Sequence, residues 1–221
     1  MIKCCIFDLD GTILDTIVTI THFVNKALHK FGYGSVTVEQ CKYFAGNGAR
    51  TLITRALAHF GVTDAAVIDE VLREYDADYK ADPHHLTRAF DGITEMLGSL
   101  ADRGVKLAVI SNKQDAITKD AIAHFFPGVF DAVVGGRAGV PLKPAPDAPL
   151  LLLRELGIAP SECAFVGDTS VDVETGRNMG AGLVVGVLWG FRQIDELRDS
   201  DVIASSPSDI LSALLRSASE S

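Results

Sequence analysis

The sequence predicts an α/β protein: a doubly wound parallel sheet, Rossmann-like in layout, with a small all-helical unit inserted after the first strand. Three observations predict it. Short, almost wholly apolar runs recur along the chain, as strands buried on both faces of a parallel sheet require. Stretches of helical period separate the later runs, which argues for right-handed crossovers. Between the first run and the others lies a long segment without a strand pattern, too long to be a plain connection.

Residues 3–9 make the first apolar run. Helical periodicity follows over 16–31, and Leu52, Ile53, Ala56, Leu57 and Phe60 fall on one side of a second helix. Residues 67–79 read as a third. The helical insertion is thus expected at 15–86 and the α/β core at 1–14 and 87–221. Strands are expected at 105–110, 130–134, 163–166 and 183–187, with a short last one at 202–204. Helices are expected between them at 115–125, 146–156 and 171–179. From Ser205 the serine-rich tail reads as a short helix with a frayed end.

The 221 residues are 48% hydrophobic and 22% charged, with a formal charge of −9. That composition excludes a disordered or collagen-like chain. So acidic a chain is a poor polyanion binder, which argues against nucleic acid as the main partner. A small anionic substrate is compatible, because a metal or a few cations reverse the local field. The longest nearly apolar stretch, 180–191, is too short for a membrane span and is broken by Gly182, Gly186 and Gly190. Asp8 and Asp10 stand where a signal peptide needs its apolar region. Four scattered cysteines without a C-x-x-C pair fit a reducing compartment, so a cytoplasmic protein is expected.

Chemistry is concentrated where apolar runs end. In Phe7-Asp8-Leu9-Asp10-Gly11-Thr12, strand alternation puts Asp8 and Asp10 on one face, and Gly11 permits a sharp turn. Ligands of open α/β sheets bind at the carboxyl ends of strands. Two close carboxylates repel unless a cation or shared proton offsets them; one can then be a nucleophile and the other a proton donor. Gly167-Asp168-Thr169-Ser170-Val171-Asp172 repeats the pattern, although Asp168 or Ser170 could equally cap a helix. With Asp8 and Asp168 on one edge, hard oxygen ligands would suit Mg²⁺. Ser111-Asn112 ends a third run and Lys143-Pro144 supplies a lysine on a stiff turn. Together these offer a hydroxyl, an amide and a cation to a phosphate, though singly each is an ordinary loop residue.

Four strand ends in order, bearing Asp-x-Asp, Ser, Lys, and Asp with a second Asp four residues on, resemble the haloacid dehalogenase superfamily of phosphatases. The segment 44–50, containing Gly46, Asn47, Gly48 and Arg50, resembles the substrate loop of its phosphoglycolate phosphatase branch, and 186–192 is similar to that branch too. The resemblance implies that the helical insertion is a cap closing over the active site. It implies Asp8 as nucleophile and Asp10 as acid and base. Mg²⁺ would be held by Asp8, Asp168 and the Asp10 carbonyl, supported by Asp172. Ser111 and Lys143 would bind the transferring phosphoryl group, with Thr12 and Asn112 assisting.

In the cap, Gly46, Asn47 and Gly48 would approach the substrate and Arg50 would meet a substrate carboxylate. His84 and His85 are expected as exposed linker residues. Arg137 departs from the acidic residue many relatives carry after Gly135-Gly136. The implied activity is Mg²⁺-dependent hydrolysis of a small phosphorylated metabolite such as 2-phosphoglycolate, without nucleic acid or membrane. The alternatives are a sugar phosphomutase of the β-phosphoglucomutase kind and a non-catalytic metabolite-binding module on the same scaffold.

Overall fold

β1 (Cys4–Phe7) is the apolar run that begins the chain, and it lies in the interior of a six-stranded sheet. The computed structural model describes residues 1–216. Next to β1 on one side is β4 (Lys106–Gln114), followed by β5 (Ala132–Gly136). On the other side lie β6 (Cys163–Gly167), β7 (Leu183–Val187) and β8 (Val202–Ala204). All five pairings are parallel. Phe7 stands level with Val109 and Val166, so the ends of β1 and β6 share one edge with the middle of the longer β4. The winding reverses direction at β1, which makes the cleft above it the expected ligand site.

Alternation along β1 divides the core. Cys5 and Phe7 face one side with Leu107, Val109 and Val166, against α5 (Ile93–Ala101), α6 (Asp115–Phe125) and α9 (Pro207–Arg216). Cys4 and Ile6 face the other with Ile110 and Phe165, against α7 (Asp147–Leu156) and α8 (Ser170–Met179).

Between β1 and β4 the chain leaves the sheet. A two-residue ribbon, β2 (Leu14–Asp15) against β3 (Arg88–Ala89), marks the exit and return. Four helices lie between: α1 (Ile17–Lys30), α2 (Val38–Phe44), α3 (Ala49–Ala58) and α4 (Ala65–Ala81). They enclose their own cluster around Phe23, Val24, Leu28, Ile53, Leu57 and Val71. Each large apolar side chain buried there contributes roughly 1.5–3 kcal/mol. Phe191, from the loop after β7, joins this cluster from the core side.

Three differences from the sequence reading have physical causes. Helix α2 is only seven residues, too short to show periodicity, and is marked instead by its Thr37–Gln40 capping box. Helix α5 begins at a left-handed Gly92 rather than a polar cap, so no start signal announces it. Strand β5 begins two residues late because Phe130 packs edge-on against Phe7 and Phe126. The tail expectation is met by α9; its frayed end lies outside the described residues. Among the described residues no helix is long and apolar enough to cross a membrane.

Candidate active site

β1 delivers Asp8 to the sheet edge, where its backbone N–H still donates to Val166. The chain must then turn. Gly11 adopts φ +85°, and a Cβ there would collide with the Asp168 carboxylate. Gly190 presses on Asp168 from the other side with the same consequence. Asp168 is fully buried in this cradle; one oxygen accepts from the Thr12 hydroxyl at 3.0 Å and the other from the Phe191 N–H at 2.7 Å.

Lys143 joins two of the carboxylates. Its Nζ lies 2.8 Å from Asp8 Oδ1 and 2.6 Å from Asp172 Oδ1, and the residue is 5% exposed. The contact to Asp8 is an ion pair whose angles do not make a hydrogen bond, so buried Asp8 Oδ1 has no hydrogen-bond partner. Asp172 is otherwise spent on the start of α8, where its Oδ2 accepts from the N–H and hydroxyl of Thr169. Capping thus centres on Thr169 rather than on Asp168 or Ser170.

The electrostatics are unbalanced. Asp8, Asp168 and Asp172 bring ligand atoms within 4.8 Å of one another. Three carboxylates against the Lys143 ammonium leave −3 + 1 = −2 in a buried space. Burial pushes the Asp8 carboxyl up to about 7, with Lys143 opposing and Asp172 reinforcing the shift. Burial and the neighbouring Asp172 and Asp8 raise Asp168 well above the carboxylate range. Burial disfavours the charge on Lys143, but Asp172 and Asp8 outweigh it and its pKa rises. Hard oxygen donors, a formal deficit of two positive charges and an unsatisfied Asp8 oxygen fit a divalent cation such as Mg²⁺. Asp8 and Asp168 are placed to hold it, with Asp172 and Lys143 behind them.

Asp8 opens on a cleft between the sheet edge and the helical insertion, with Asp10, Ser111 and Asn112 in its wall. The structure thus brings Asp8, Asp10, Ser111, Lys143, Asp168 and Asp172 to one edge. Ser111 Oγ accepts from the Lys113 N–H at 3.3 Å. Gly46 and Gly48 line the cleft, Gly48 at the N-terminus of α3.

Four of the expected substrate-binding residues sit as follows. Arg50 lies on the outer surface of α3, paired with Asp69 of α4, with its side chain 58% exposed. Ala49 and Leu52 of the same helix line the cleft, and the helical turn carries Arg50 away from them. Asn47 is absent from the cleft wall, although its two glycine neighbours form part of it. Thr12 is fully buried, and its hydroxyl donates to Asp168. Asn112 does face the cleft, but its amide is committed to backbone: Nδ2 donates to Gly46 and Lys143 carbonyls, and Oδ1 accepts from the Lys143 N–H. It ties the loop before α3 to the lysine turn.

The sequence reading missed Lys113. Its Nζ sits 3.0 and 3.2 Å from the two Asp10 oxygens and 2.8 Å from the Tyr79 hydroxyl of α4. Strand alternation was the available signal, since residues 111 and 113 of one strand share a face. It also missed Arg192, whose guanidinium donates to the Lys42 and Ala45 carbonyls. His84 and His85 lie outside the cleft wall. His84 pairs with Asp120 at 2.8 Å and stacks on His124, while His85 packs beside His22 and Phe23. Arg137 lies 4.0 Å from Asp115.

Comparison with known proteins agrees with this geometry. Residues 5–185 match the family of haloacid dehalogenase-like hydrolases. A phosphoglycolate phosphatase of Pseudomonas putida is 33% identical over 217 residues, covering 95% of this chain and 77% of that one. One from Aquifex aeolicus is 30% identical, covering 93% of both. A crystal structure from Lactobacillus delbrueckii subsp. bulgaricus, provisionally named a phosphoglycolate phosphatase, superposes with a TM-score of 0.91 at 32% identity, covering 96% of this chain and 98% of that one. The chain therefore belongs to the haloacid dehalogenase-like hydrolases, as a phosphatase-type enzyme similar to the phosphoglycolate phosphatases.

Proposed function

We propose that the protein is a Mg²⁺-dependent phosphomonoester hydrolase working through an aspartyl-phosphate, with a small phosphorylated metabolite such as 2-phosphoglycolate as substrate. One observation carries this reading: Asp8 lines the cleft with Asp10 in the same wall, and its Oδ1 is paired with the buried Lys143 ammonium at 2.8 Å. Asp8 attacks phosphorus, forming a P–O bond as the ester P–O bond breaks. Asp10 gives its proton to the departing oxygen. Asp10 then takes a proton from water as that water attacks phosphorus, the Asp8–O–P link breaks and phosphate leaves. Lys143 and the Ser111 hydroxyl hold the phosphoryl oxygens. Asp8, Asp168 and the Asp10 carbonyl would hold Mg²⁺, which would supply the charge neutralisation that lets two anions meet.

The four helices act as a cap over residues 15–86. Their contribution is to exclude water and shape the space around the leaving group. The buried, free cysteines suit the cytoplasm. The test is a phosphate-release screen over a panel of metabolite esters, with and without Mg²⁺. Metal-dependent phosphate release, including from 2-phosphoglycolate, is expected. Isomerisation of a hexose 1-phosphate without net phosphate release would point to a phosphomutase, and ligand binding without turnover to a binding module; either result overturns the proposal.

A further inference from the structure

With Arg50 turned outward, a substrate carboxylate needs another partner. Lys143 is assigned to the phosphoryl group, and among the described residues the lysine in the cleft wall is Lys113. It is held from two sides. Asp10 supplies two oxygens, and Tyr79 supplies its hydroxyl and a ring whose centroid lies 4.5 Å from Nζ. An ammonium has three N–H groups. Nζ contacts both Asp10 oxygens and the Tyr79 hydroxyl, and a carboxylate in the cleft would take the third N–H by displacing the longer, 3.2 Å contact to Asp10.

Position makes that third donor selective. Asp10 must lie at hydrogen-bond distance from the leaving oxygen in order to protonate it. Lys113 touches the same carboxylate. Whatever is attached one carbon beyond the leaving oxygen therefore lies next to Lys113 Nζ. A carboxylate there gains a charge-assisted hydrogen bond in a space closed by Ile20, Leu52 and Tyr75. A neutral substituent gains none. Asp76 of α4 also lines the wall, and its acidic side chain would disfavour a carboxylate placed beside it instead.

We propose that Lys113 is the specificity-determining residue: it favours phosphomonoesters carrying a carboxylate on the carbon next to the leaving oxygen, while orienting Asp10. This rests on the phosphatase reading of the cleft, and the experiment separates the two. Calorimetry on the Mg²⁺-loaded protein compares 3-phosphonopropionate, in which a methylene replaces the ester oxygen so that the carboxylate keeps its place and hydrolysis is blocked, with propylphosphonate. Wild type should bind 3-phosphonopropionate at least about tenfold more tightly, the scale of one charge-assisted hydrogen bond. In Lys113→Met the preference should fall to within about twofold, and Lys113→Arg should restore part of it. In parallel, the kcat/KM ratio for 2-phosphoglycolate over ethyl phosphate should fall with the binding preference.

A residue that only positions Asp10 would slow both esters equally and leave both ratios unchanged; that result overturns the proposal. So does a wild type that binds the two phosphonates alike, a measurement that needs no variant to fold. If wild type releases phosphate from neither ester yet keeps the 3-phosphonopropionate preference, and Lys113→Met removes it, the phosphatase reading fails and the Lys113 assignment stands.

Discussion

Asp8 sits where three carboxylates crowd one ammonium, so its removal separates chemistry from folding. Asp8→Asn should abolish phosphate release. It relieves repulsion in the metal-free protein, so the melting temperature should not drop; retained Mg²⁺-dependent turnover would exclude Asp8 as nucleophile. Asp10→Asn should slow hydrolysis by about 10²–10⁴-fold, the usual scale of a lost general acid and base. A loss below tenfold would contradict that role. Gly190→Ala tests the cradle: its Cβ overlaps Asp168, so roughly 1–3 kcal/mol of stability should be lost, with weaker Mg²⁺ binding by titration. Unchanged metal affinity would show that Asp168 tolerates displacement.

The acidic residues were legible at this scale because each follows an apolar run whose end defines a sheet edge. Arg50 was misjudged because the rotation of a helix about its own axis, not its sequence, decides which residues look inward. Lys113 was overlooked because Ser111 and Asn112 drew attention and its partner Tyr79 lies 34 positions away.

Among the elements, α2 and the loop after β7 clasp the helical insertion to the sheet. Arg192 is 8% exposed, donates to the last carbonyls of α2 and lies 5.5 Å from the Tyr43 ring. Arg192→Ala leaves those carbonyls without their donor, at a cost of about 1–3 kcal/mol. The expected result is faster amide exchange over residues 38–45 and a higher KM. Exchange unchanged from wild type would show that the clasp is dispensable. The strands that carry the site were readable from apolar content alone, whereas α2 and α5 were not: one is too brief for a periodic pattern and the other starts on glycine.

Across the whole molecule, the buried acid cluster links stability to pH and metal. Asp8 titrates near 7 when folded and near 3.8 when unfolded, and Asp168 is raised as well. The metal-free native state therefore binds more protons than the unfolded chain over this interval, and stability falls as pH rises from about 4 to about 7. A divalent ion requires the deprotonated carboxylates, so its stabilising effect grows over the same interval. The rise in melting temperature on adding Mg²⁺ should be clearly larger at about pH 8 than at about pH 5.5. Equal shifts at both would rule out these carboxylates as the linked groups.

The β2–β3 ribbon has a further consequence. Leu14 and Ala89 are direct partners, so the polypeptide departs from the sheet and comes back at adjacent points. Any helical module whose two ends meet at that spacing could be transplanted between them without re-registering a single sheet strand. Chimeras exchanged at this junction should inherit their choice of substrate from the donor and their reaction from the recipient.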